Sequence, residues 1–179
     1  MTDTATLARY LDMFPSWLRT LGEDAGALGG VVAGDGNEEV RRYLTSGLNY
    51  IFKSLDLIPD GIDDLGFCDD AFVIRVAAAL AVEAEPTAAD GVVGRLAEEA
   101  RSVEDFLGDD YARLVTYVKG LRKGAARGRT VEDIMTDTSA RTSFVHEVSA
   151  WAQEYQVPSF TRDVKTLIKL KAFLSAKLA

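Results

Sequence analysis

The chain has 179 residues, 47% of them apolar and 27% charged, with one cysteine and a formal net charge of −8. That length suits one domain burying roughly 70% of its unfolded surface, and the composition excludes wholesale disorder, a disulfide framework and a generally basic nucleic-acid binder. The charge is uneven: residues 1–110 hold 22 acids and 8 bases, whereas residues 111–179 hold 6 acids and 12 bases.

Such polarity can attach the basic part to its own acidic half, to an acidic partner or to an anionic membrane surface. The start MTDTATLARYLD lacks the basic and apolar runs of a signal peptide. The most apolar window, residues 71–82, is about a dozen residues long and carries Arg75, whereas a spanning helix needs roughly twenty. A cytoplasmic protein without a transmembrane segment is expected. Apolar residues recur at helical spacing throughout, and no alternating run calls for a strand. The expected fold is all-α, a compact bundle of seven or eight helices built around a helical hairpin joined by an acidic turn.

Leu7, Tyr10, Leu11 and Phe14 form a stripe that Pro15 interrupts, and the chain is expected to restart there with Trp17, Leu18 and Leu21. Residues 22–36 (GEDAGALGGVVAGDG) hold six of the fifteen glycines, which predicts a flexible connector closing an N-terminal region of residues 1–36. The same stretch fails as a phosphate loop, because it has neither a Gly-Lys-Ser/Thr ending nor Gly-x-Gly-x-x-Gly. Asn37 is a plausible N-cap with Glu38 and Glu39 in the first turn, and Val40, Tyr43, Leu44, Gly47, Leu48, Ile51 and Leu55 share one face. Six aspartates then fall within SLDLIPDGIDDLGFCDD, residues 54–70. Asp69 or Asp70 is expected to cap an apolar helix over 70–84, which Pro86 ends. Residues 37–86 therefore read as a helical hairpin.

The remaining region, 87–179, is expected to pack on that hairpin. Thr87 with Asp90 resembles a capping box ahead of Val92, Leu96, Val103 and Leu107. Tyr111, Leu114, Val115 and Val118 mark a further helix that ends in VKGLRKGAARGR. Its Lys119, Arg122, Lys123, Arg127 and Arg129 suit a helix C-terminus, and without interleaved aromatics they do not point to nucleic acid. Thr130 with Asp133 can cap a short turn, and Phe144, Val148, Trp151 and Tyr155 define a helix closed by Pro158. Ser159 or Thr161 would cap the last helix, with Val164, Leu167, Ile168, Leu174 and Leu178 inward and Lys165, Lys169 and Lys177 outward.

Cys68 lies among acids, which raise a thiol pKa, and the single histidine, His146, has no second histidine four residues on. Neither supports a catalytic role. An EF-hand starting at Asp56 would have Asp60 and Gly61 in place, but it puts Ile58 at position 3 and Phe67 at position 12, where a bidentate Glu belongs. Asp60, Asp63, Asp64 and Asp69 form an alternative divalent-cation set. The structural reading makes Asp56 a turn former, Pro59 a helix stop, and Asp69 and Asp70 the start of the next helix. Leu55, Leu57, Ile58, Ile62, Leu65 and Phe67 would anchor the turn inward. Arg75 is then the expected counter-ion for one of these aspartates, since an unpaired charge on an apolar helix is costly.

Residues 55–70, and more loosely 40–84, resemble the signature of the YkvA-like family, also known as domain of unknown function 1232. The match rests on Asp56, Leu57, Ile58, Pro59, Asp60, Gly66, Asp69 and Asp70. It departs from the family pattern at Lys53 and Ser54 and in the extra acids at Asp63 and Asp64. The resemblance implies a bacterial helical hairpin with no agreed catalytic role. Together these readings predict a non-catalytic protein without a cofactor, acting as a protein–protein interaction or regulatory module, with Asp63 and Asp64 as candidates for partner contact. The alternatives are a divalent-cation module at the aspartate cluster and a peripheral membrane adaptor using the basic C-terminal helices.

Overall fold

A computed structural model of the protein describes residues 3–53 and 56–178. The expected all-α bundle is present, with eight α-helices among the described residues. The central element is α3, Cys68–Ala84, in which 13 of 17 residues are buried. It is apolar on nearly every face, so it has to be enclosed by its neighbours. On it pack α2, Glu38–Ile51, and α4, Gly91–Leu107, while α1, Thr4–Ala33, crosses the same core and carries α7, Thr138–Glu154, on its other side. The short helices α5, Asp110–Gly120, and α6, Val131–Thr136, close the end near α2. The last helix, α8, Val164–Lys177, lies against α1.

Two expectations for the N-terminal region are corrected. Pro15 lies inside a continuous 30-residue α1, capped where the Asp3 carboxylate accepts from the Thr6 N–H at 2.7 Å. An interior proline costs about 3 kcal/mol, but here buried aromatics lie on both sides of it. Tyr10, Phe14 and Trp17 interlock with Phe72 of α3 and Phe106 of α4, with ring centroids 5.0 Å apart for Phe14 and Phe106 and 5.1 Å for Phe14 and Phe72. Nor are residues 22–36 a connector, because the helix runs on to Ala33. Several of its glycines are contact surface: a Cβ on Gly22 would stand 2.9 Å from the Ala152 carbonyl of α7, and one on Gly29 would stand 3.4 Å from Val148.

Asn37 caps α2 as expected, accepting from the Val40 N–H at 3.1 Å. Leu55, expected on the same stripe, lies outside the described residues. Thr87 and Asp90 do not form a capping box: Thr87 donates to Glu85, and Asp90 alone caps α4. Thr130 and Asp133 do form one at the start of α6. The basic segment contains a small hairpin that helical periodicity did not reveal. It pairs β1, Ala125–Ala126, with β2, Arg129–Thr130, across Arg127 and Gly128, both at positive φ as tight hairpin turns require. Asp163, not Ser159 or Thr161, caps α8. Val164 and Ile168 are 42% and 62% exposed, contrary to expectation, and Leu170 is buried in their place.

The α2–α3 crossing depends on Gly47, where a Cβ would stand 2.9 Å from the Ala77 methyl. Gly47→Val is expected to lower unfolding free energy by about 1–3 kcal/mol in urea titration, as overpacked sites do. Gly30→Ala, in open space on the same long helix α1, is expected to raise it by about 0.5–1 kcal/mol.

Candidate functional site at the acidic turn

Between α2 and α3 the chain makes a turn whose apolar residues hold it to the core. Leu57, Ile58 and Leu65 are buried, and Ile62 and Phe67 are half-buried against the same cluster. The pivot is Tyr50 of α2, itself buried. Its hydroxyl donates to the Asp69 Oδ2 at 2.5 Å and accepts from the Leu57 N–H at 2.7 Å. The Ile58 N–H donates to the same Oδ2 at 3.2 Å. Gly66 is set by close approach: a Cβ there would lie 2.2 Å from the Asp60 carbonyl oxygen.

Asp69 and Asp70 do not cap α3. The N-cap is Phe67 in the left-handed conformation, with no side-chain cap bond, and the two aspartates sit in the first helical turn, 0% and 1% exposed. Asp56 does not fasten the turn through backbone amides either, since its Oδ1 is buried without a hydrogen-bond partner. Both carboxylate oxygens of Asp70 are likewise buried without a donor among the described residues, facing only the Asp60 and Asp69 carboxylates, and Oδ1 of Asp69 is unpartnered too. Buried polar atoms are nearly always hydrogen-bonded, so four orphaned carboxylate oxygens in one turn require an explanation.

The geometry supplies one. Asp56, Asp60 and Asp70 each bring one carboxylate oxygen to within 4.8 Å of the other two. Burial pushes the Asp56 carboxyl up to about 7, helped by the neighbouring Asp69 and Asp60, and the Asp69 carboxyl up to about 6 against the pull of the Tyr50 hydroxyl. Asp70 is pushed well above the ordinary range by burial and then by Asp69, Asp60 and Asp56, and partial desolvation raises Asp60. None of these four pairs with a Lys or Arg among the described residues. Lys53, whose charge acts on Asp56, donates instead to the Tyr117 hydroxyl at 3.0 Å.

Arg75 is not their counter-ion. It lies fully buried one to two turns further along α3, with its guanidinium 4.0 Å from the centre of the Trp17 ring and Nη1 donating to the Ala71 carbonyl at 2.9 Å. Its Nη2 is 3.1 Å from Glu99 and 3.8 Å from Asp24, and Arg95 joins both carboxylates from the solvent side. Burial lowers the Arg75 pKa to about 10, opposed by Glu99 and Asp24, so it is charged at neutral pH.

The structure therefore divides the sequence-level aspartate set. Asp56, Asp60 and Asp70 converge; Asp69 is tied to Tyr50, and Asp63 and Asp64 lie outside the convergent group. Asp64 accepts from the Thr161 N–H at 2.8 Å and from its hydroxyl at 3.0 Å. Asp63 is exposed. Sequence reasoning missed Tyr50, Asp24 and Glu99. A tyrosine at the penultimate position of α2 gave some signal for the first, but 51 residues separate Arg75 from Asp24 and no local pattern connects them. Cys68 is buried, with its thiol pushed up first by burial and then by Asp69 and Asp70, and His146 is exposed. The charge asymmetry is partly used within the chain, where Arg122 meets Glu39 at 2.9 Å and Arg162 meets Asp12 at 3.0 Å. No helix among the described residues is long and apolar enough to cross a membrane. Comparison with protein-family models, curated proteins and solved structures finds no match for the chain.

A carboxyl whose folded pKa stands above its ordinary 3.8 binds more protons folded than unfolded, so its contribution falls as pH rises through that interval. In chelator-treated protein the cluster's contribution to stability is expected to decline from about pH 4 to about pH 7, the window set by Asp56 and Asp69. Thermal melts at pH 5.5 and 7.5 check this: the drop in Tm for the wild type should exceed that for Asp70→Asn, and equal drops would refute it.

Proposed function

We propose that the chain is a non-catalytic regulatory module whose acidic turn takes up one hard divalent cation on Asp56, Asp60 and Asp70, and whose output is contact with a protein partner. The observation that carries the cation reading is Asp70, a buried carboxylate with neither oxygen partnered and one of them in the convergent set. Four carboxylates drawn together need protons or a cation, because desolvation disfavours their ionised forms. Oxygens within 4.8 Å of one another fit around a common centre at Ca²⁺–oxygen distances of about 2.3–2.6 Å. Mg²⁺ demands near-octahedral geometry at about 2.0–2.1 Å, whereas Ca²⁺ accepts irregular oxygen sets, so Ca²⁺ and ions of similar size are the first expected here. Asp60 lies on the solvent edge, which leaves that side for water ligands.

On this reading the D-L-I-P-D segment that resembles the YkvA-like signature contributes the first two ligands, and the Asp-Asp pair contributes the third. Hydrolytic use of the carboxylates is less well supported, because the site lacks a paired nucleophile and base: the buried Cys68 has a raised pKa, and the only histidine is exposed.

Titration calorimetry at pH 7.5 is expected to give one binding event for Ca²⁺. Asp70→Asn should weaken it at least about tenfold, the scale on which lost metal contacts are felt. Asp63→Asn, outside the convergent group, should leave it unchanged. Absence of heat with Ca²⁺, Mg²⁺ and Mn²⁺ at millimolar concentration would refute the proposal. Because the ligands must be deprotonated, affinity should fall as pH drops below about 7 and binding should release protons.

A further inference from the structure

The turn that carries the acidic cluster is also the seat of a non-helical arm, residues 155–163, which connects α7 to α8. The arm is held at four points. The Thr161 N–H and hydroxyl donate to Asp64 Oδ1 at 2.8 and 3.0 Å. The Tyr155 ring meets Phe67 edge-on, with centroids 5.4 Å apart, beside Trp151 at the end of α7. The Tyr155 hydroxyl donates to the Leu18 carbonyl at 2.7 Å, and Arg162 pairs with Asp12 at 3.0 Å. Two of these four points, Asp64 and Phe67, therefore belong to the turn.

Both have left-handed backbones, each with φ of 66°. Non-glycine residues hold that conformation only where their surroundings impose it. What surrounds them is the cluster's own backbone. The Asp60 carbonyl presses on Gly66, leaving no room for a Cβ, and the Ile62 carbonyl accepts from both Leu65 and Gly66 N–H groups. A shift of Asp60 is thus transmitted through Gly66 to Phe67, and through the tight 62–66 turn to Asp64. An empty cluster sets carboxylates side by side with no basic partner among the described residues, and its most exposed member, Asp60, is the one with room to move outward.

We infer that cation occupancy of the acidic turn locks the 155–163 arm onto the bundle, and that loss of the cation releases it. This rests on the cation reading above and adds its consequence: the ion is a ligand whose bound state is displayed at the arm. Linkage requires reciprocity, so whatever factor the cation contributes to arm docking, arm docking contributes to cation affinity.

Hydrogen exchange on the full chain at pH 7.5, with Ca²⁺ or with chelator, tests the coupling. The Thr161 amide and its neighbours in 155–163 are expected to exchange about tenfold more slowly with Ca²⁺, within the 5–150-fold range usual for coupled sites. Asp64→Gly removes the acceptor while tolerating positive φ. It is expected to abolish that slowing and to weaken Ca²⁺ by a matching factor in calorimetry, although Asp64 is no ligand. Unchanged exchange in protein that calorimetry shows to bind Ca²⁺ would overturn the coupling alone. Full affinity in Asp64→Gly would overturn it equally, whereas absence of Ca²⁺ binding to the wild type would remove the cation reading and the coupling with it.

Discussion

The structure depends on one helix that buries three charged residues. α3 is enclosed on almost every side, yet it contains Asp69, Asp70 and Arg75, each 1% exposed or less. A buried charge without a partner costs several kcal/mol, so each has to be matched by groups brought from elsewhere in the chain. Arg75 is matched by Asp24 of α1 and Glu99 of α4 and by the face of Trp17, which joins three helices around one guanidinium. Asp69 is matched by Tyr50 of α2 and by the Ile58 N–H, which fixes the entry to the turn. Of the three, Asp70 alone has no hydrogen-bond donor or cationic partner among the described residues, and the unsatisfied requirement of the helix falls there.

That distribution explains why parts of the fold were legible in the sequence and others were not. Local signals gave the right answer where local energetics decide: the Asn37 cap, the Thr130–Asp133 capping box and the all-round apolar α3 are each set within a few residues. Pro15 and the glycines of 22–33 were misread because their own propensities oppose a helix and distant packing overrules them. Pro15 sits between aromatics locked to Phe72 and Phe106, and Gly22 and Gly29 allow α7 to approach closely. Propensity costs of about 1 to 3 kcal/mol are small against an aromatic cluster of five rings, each worth a few kcal/mol when buried.

The candidate site was legible in composition but not in membership. Six aspartates in seventeen residues marked the place. Which of them converge depends on a turn with two left-handed non-glycine residues, Asp64 and Phe67, a conformation that sequence alone does not announce. The same turn moved Asp69 and Asp70 from capping positions into the first turn of α3, and so from solvent-facing roles into the interior. The Arg75 assignment failed for a related reason. Proximity along α3 favoured the aspartates near its start, but the guanidinium reaches towards α1 and α4, where carboxylates arrive from sequence positions 24 and 99.

Arg75 and Asp70 show two ways of meeting one constraint. Around Arg75 the chain supplies compensation with its own side chains, joining α1, α3 and α4 around one guanidinium. Around Asp70 the chain supplies only further acids, raising the cost of the empty, ionised state instead of lowering it. A lysine or arginine in place of Asp56 or Asp60 would have supplied a counter-charge from within the chain, and neither position has the positive φ that would disfavour a long side chain. Placing acids there keeps the compensation outside the chain, in protons or a cation whose concentration can vary. Asp64 and Phe67 of the same turn hold the arm, so the residues that gather the acids and those that seat the arm share one short stretch of backbone, apart from the Arg75 node.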